Sequence, residues 1–178
     1  MAHTVLRSTG DAIVVSMLLA VGSSRLAWAA TIDCETITAT SAASVLGVRM
    51  AKSNPAEGHH KQAPDNMDVF ACGYAEVSAD PMARTLLYFV YTPIPNDLAS
   101  VFSSLSAPNI RGNPQSFAPG IGTGSTGWVR ASANGQTYDG SIVFRGTTNI
   151  VVLKVAGMPS GDAAKTALVN AGKILAKA

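Results

Sequence analysis

At 178 residues the chain has room for one ordinary domain and its apolar core, which argues against a second domain. Charged residues make up only 13% of it, about half the usual share, and Gly, Ser, Thr, Ala and Asn fill the surface positions instead. That balance suits an exported protein better than a cytosolic enzyme. The basic residues from Arg49 to Lys177 are scattered, with no cluster to track a phosphate backbone, so nucleic acid is set aside as a partner.

In chain order, Arg7 comes first, then the ten-residue apolar run 12–21, then Ala27-Trp28-Ala29-Ala30. This pattern reads as a cleavable signal peptide over residues 1–30, cut after Ala29 or Ala30. Asp11 departs from it, standing where only positive charge is expected. The run has about half the length that a membrane span requires. The remainder, 31–178, is expected to be a single α+β domain, periplasmic or extracellular, without stable membrane insertion. Losing Arg7, Arg25 and Asp11 leaves it 11 basic and 10 acidic residues, close to neutral.

Cys34 and Cys72 are the only cysteines. In an oxidising compartment a disulfide between them is the natural reading, the alternative being two buried free thiols. A lipid-modified Cys34 does not fit, because Thr31-Ile32-Asp33 lacks the small residues and the upstream Leu of a lipidation site and lies too far beyond the apolar run.

The first helix is expected at 38–47, with Thr38 as N-cap, Ala42, Ala43, Val45 and Leu46 at helical spacing, and Gly47 as the stop. Residues 51–68 are polar, interrupted by Pro55, Gly58 and Pro64, and read as a surface loop. Strands follow at 69–77 and 84–92. The unbroken run Leu86-Leu87-Tyr88-Phe89-Val90-Tyr91 predicts a strand covered on both faces. Asn96 is placed to cap a helix that carries Leu98, Val101, Phe102 and Leu105 on one face and stops at Pro108. Residues 108–127 read as a long connection with a short strand at 115–117. Strands at 128–133 and 137–144 flank Asn134-Gly135, a hairpin signal, and a third covers 149–155. A last helix runs from the Ser160 cap to about Ala176, with a stripe through Ala164, Ala167, Leu168, Ala171, Ile174 and Leu175. The fold class is thus α+β, an antiparallel sheet of about five strands with helices packed on it, in the order α-β-β-α-β-β-β-α.

Short features match small two-cysteine bacterial exported domains of unknown function, many of them cell-envelope lipoproteins: Asp33-Cys34, Leu46-Gly47 ending a helix, Cys72-Gly73-Tyr74 on a strand, and Gly120-Ile121-Gly122 before the last strands. The chain resembles that group over most of its length after residue 30 but lacks its lipidation site. The group is similar in outline to the PsbP-like α/β/α sandwich. The resemblance implies an envelope binding or accessory role and offers no catalytic residues.

Candidate sites are sparse. His59-His60, with Glu57 and Asp65 nearby, are weak metal candidates because no His-x-x-x-His or Glu-x-x-His spacing presents two ligands on one face, and no metal is expected. The glycine loop at 120–127 resembles a phosphate cradle but runs toward a strand at Trp128, where anion binding needs a helix N-terminus. No serine stands in a nucleophile motif. The acids Asp97, Asp139 and Asp162 are expected at caps and turns, so no catalytic residue and no cofactor is named. Of the strand aromatics, Tyr74, Tyr88, Tyr91, Trp128 and Tyr138 are a possible ligand or partner surface if several share an uncovered face. The function expected is an exported non-catalytic binding or accessory domain for an unknown protein or small molecule. A secreted hydrolase inhibitor using loops 51–68 and 108–127, or a small hydrolase with a dispersed site, are the alternatives.

Overall fold

The computed structural model describes residues 32–53, 58–62, 67–93, 95–106 and 113–178. The expected signal peptide lies outside them. Helix α1, Ala39–Leu46, begins where the Thr38 side chain accepts the Ser41 N–H and ends where Gly47 takes a left-handed conformation, as the sequence predicts.

Two short strands then meet the edge of a long one: β1, Met50–Lys52, and β2, Gly58–Gln62, both pair with β3, Met67–Glu76. After β4, Thr85–Thr92, a 3-10 turn at Pro95–Asp97 leads into α2, Leu98–Ser106. Strands β5, Gln115–Phe117, β6, Thr123–Ala131, β7, Tyr138–Arg145, and β8, Ile150–Met158, precede α3, Gly161–Leu175. All join one antiparallel sheet in the lateral order β1-β3-β4-β8-β7-β6-β5, with β2 sharing the outer edge of β3 beside β1.

The α+β class stands, while the count of about five strands does not: β1 and β2 are added and the short strand expected at 115–117 joins the sheet as β5, so the element order lengthens. The polar stretch 51–68 is not the continuous loop that its composition predicts, because 51–52 belong to β1, 58–62 form β2 and Met67 and Asp68 open β3. Backbone pairing to an edge asks for no apolar side chain, so a polar stretch carries no sign of it. The 108–127 connection is likewise shorter than expected, because β6 begins at Thr123. Asn96 falls inside the 3-10 turn, whose Asp97 carbonyl accepts the Ser100 hydroxyl. Between β6 and β7 the chain turns where the Gly135 N–H meets the Ser132 carbonyl, with Gly135 at positive φ.

Strand alternation sorts the side chains onto two faces. Cys72, Tyr74, Leu86, Tyr88, Leu153 and Phe144 are buried on one face with α1 and α3, where Ala164, Ala167 and Ala171 allow close approach to the sheet. Gly140 belongs to this packing, since a Cβ there lies 2.8 Å from Leu168 Cδ1 and 3.0 Å from the Trp128 carbonyl. On the other face α2 seats Leu98, Val101, Phe102 and Leu105 against Val143, Ile150 and Val152. The helix covers only part of that face.

The segment before α1 is fastened to the core three ways. A Cys34–Cys72 disulfide joins it to β3. The Tyr74 hydroxyl shares its one proton between the Cys34 carbonyl, 2.7 Å away, and the Ile37 carbonyl, and the Tyr88 hydroxyl donates to the Asp33 carbonyl at 2.5 Å. Both tyrosines thereby satisfy their polar atom inside the core. Among the described residues no helix is long and apolar enough to cross a membrane.

Candidate functional site

Beyond α2, the second face of the sheet changes character within one strand. Cross-strand register forms a row Phe89–Val152–Val143, which α2 covers, and beside it a row Leu87–Lys154–Ser141–Trp128. Val152 is buried and Lys154, two residues on and on the same face, is exposed. The helix contacts stop at this boundary because Lys154 places a charge where the next apolar residue of the strip is needed.

The third row starts as Thr85–Ala156 and is then displaced. From Tyr138 to Gly140 strand β7 advances two residues, while β8 advances three, from Met158 to Val155. Gly157 sits in this bulge at φ +73°, and a Cβ there lies 2.6 Å from the Met82 carbonyl oxygen and 2.9 Å from that of Ala83. Only glycine meets both demands. On the far side of the bulge Asp139 faces Arg130 across β7 and β6.

These rows line an open cavity of about 330 Å³ whose walls include Thr85, Leu87, Trp128, Arg130, Asp139 and Lys154. Its volume is at the lower end of the small-molecule range. The two cations rest on aromatic rings: the Arg130 guanidinium lies 5.7 Å from the centre of the Trp128 ring and the Lys154 ammonium 5.3 Å from that of Phe89. At exposed Lys154 such a contact is worth about 0.5–1 kcal/mol, enough to bias the side chain but weak enough to yield to a ligand.

The structure does not gather the five aromatic candidates. Tyr74 and Tyr88 are buried on the opposite face, and burial pushes the Tyr88 phenol above its ordinary range. Tyr138 packs against the core beside Gly161 at the start of α3. Tyr91 shares the second face with Trp128 but lies in the part that α2 covers, its own phenol also raised by burial. Trp128 alone among them lines the cavity. The sequence reading missed Arg130 and Lys154, although Arg130 stands two residues after Trp128, hence on its face, and Lys154 interrupts an otherwise apolar strand. Asp139, expected at a cap or turn, is inside β7.

His59 and His60 lie in β2, opposite Phe70 and Val69; their side chains are outside the described residues. No group of three or more His, Cys, Asp or Glu residues able to hold a metal occurs among the described residues. The glycine loop enters β6 directly, and its Gly122 borders a separate cavity of about 290 Å³ between Ile32, Asn149 and Lys177. Comparison with protein families, with curated proteins and with solved structures finds no match for the chain.

Proposed function

We propose that the protein is an exported binding or accessory domain of the cell envelope that holds its ligand in the cavity beside Trp128. The single observation that carries the reading is the cavity itself: an indole, two cations, a carboxylate and a hydroxyl converge where the sheet face is left uncovered. Binding sites are built this way, with apolar walls and a few placed polar groups. Export rests on the signal-peptide reading of residues 1–30 and agrees with a fold closed by a disulfide, which persists in oxidising compartments.

The test is a photo-crosslinking residue introduced at Thr85 in the full chain, expressed in its native cells. Illumination is expected to give an adduct of discrete mass that is absent when the same residue replaces exposed Lys173 on α3. Equal labelling from both positions, or none from Thr85, overturns the proposal.

A further inference from the structure

We infer that the ligand of the Trp128 cavity is a small carboxylate about one ring in size. This rests on the binding reading above and adds the chemistry of the occupant. Two of the cavity's walls end in cations that approach from different strands, Lys154 from β8 and Arg130 from β6, against the single carboxylate of Asp139. Asp139 faces Arg130 directly in the register, so the field at that end is partly offset. Lys154 makes no ion pair among the described residues; its ammonium rests on Phe89. The surplus positive charge therefore lies at the Lys154 end, between Leu87 and Ser141 in its row.

The Lys154 ammonium exchanges its ring contact for a charge-assisted hydrogen bond when a carboxylate comes within reach. Arg130 adds a planar fork suited to carboxylate geometry. The cavity's apolar lining includes Leu87, Ala156 and the Trp128 indole, which suits one ring rather than an extended chain. At about 330 Å³ the space admits a ligand of monosaccharide size. The ring is either hydroxylated, with Thr85 and Asp139 as hydroxyl partners, or apolar; both share the carboxylate.

The experiment uses the full chain carrying Trp28→Phe, which leaves Trp128 as the sole tryptophan. Its emission is titrated with galacturonate, benzoate and neutral galactose. Saturable change with galacturonate or benzoate, and none with galactose, is expected; whichever acid binds identifies the ring type. Lys154→Met, which keeps the apolar stem, should weaken binding by about tenfold or more, and raised salt should weaken it further, while Lys173→Met leaves it unchanged. Binding of galactose as strongly as galacturonate, or binding indifferent to Lys154→Met, overturns the carboxylate assignment. So does silence with all three probes. If the Thr85 crosslink still forms in that event, the cavity remains a binding site for a different class of ligand; if it also fails, both readings fall together.

Discussion

Replacing both cysteines, Cys34→Ala with Cys72→Ala, separates what the disulfide does to the folded chain from what it does to the unfolded one. The bond spans a sequence separation of 38, and the chain-entropy relation gives a loop of that size about 4 kcal/mol at 25 °C. In the native state the same segment is also held by the Tyr74 and Tyr88 hydroxyls on the carbonyls of Asp33, Cys34 and Ile37, and Ile37 is fully buried. The segment should therefore stay docked without the bond, and the loss should come through a freer denatured state. Urea unfolding followed by Trp128 emission in the Trp28→Phe background is the assay. With an m-value of about 2 kcal/mol/M, the midpoint is expected to fall by about 2 M with the native baseline unchanged. A fall worth less than about 1 kcal/mol, or a separate early transition as the segment detaches, refutes this reasoning.

Other perturbations test the remaining parts of the structure. Gly157→Ala combines a left-handed residue with contacts to two backbone carbonyls and should cost about 3 kcal/mol in a urea melt; a cost under about 0.5 kcal/mol means that the bulge is not constrained as described. Leu168→Ala removes a fully buried side chain beneath the sheet and should cost about 2–5 kcal/mol by the same measurement. Because burial raises the Tyr88 and Tyr91 phenols above the ordinary value of 10.0, the unfolded chain releases these protons first. Their contribution is complete below about pH 10 and is lost as pH climbs above it. Stability measured from about pH 9 to about pH 11 should fall less steeply in Tyr88→Phe than in the parent, and an equal slope contradicts that role for Tyr88.

Where apolar side chains or caps decide an element, the sequence was legible. Thr38, Gly47 and Ser160 mark helix ends that the backbone takes, with Ser160 accepting the Ala163 N–H. The α2 stripe and the α3 alanines point to the faces that pack. Where backbone pairing alone decides, it was not: β2 is Gly-His-His-Lys-Gln and carries no period-2 apolar signal. The unbroken apolar run in β4 correctly indicated cover on both faces at Phe89 and Tyr91, but not that cover ends before Leu87, since that depends on how far α2 reaches. The same gap hid the site. Cys72 and Tyr74, two apart, share the disulfide's face, an unused sign that Tyr74 is buried; Lys154 and Arg130 acquire meaning only once β8 and β6 are known to flank β7.

The proposed function requires that ligand meet protein on the part of the second sheet face that α2 leaves uncovered. Amide-resolved NMR of the full chain, with a low-molecular-weight extract of its native cells as the titrant, addresses this whatever the ligand's identity. Shifts concentrated at Leu87, Trp128, Gly140 and Lys154 are the result expected. Shifts that cluster instead along α3 or around Ile32 and Asn149, or a spectrum that the fraction leaves unmoved, contradict it.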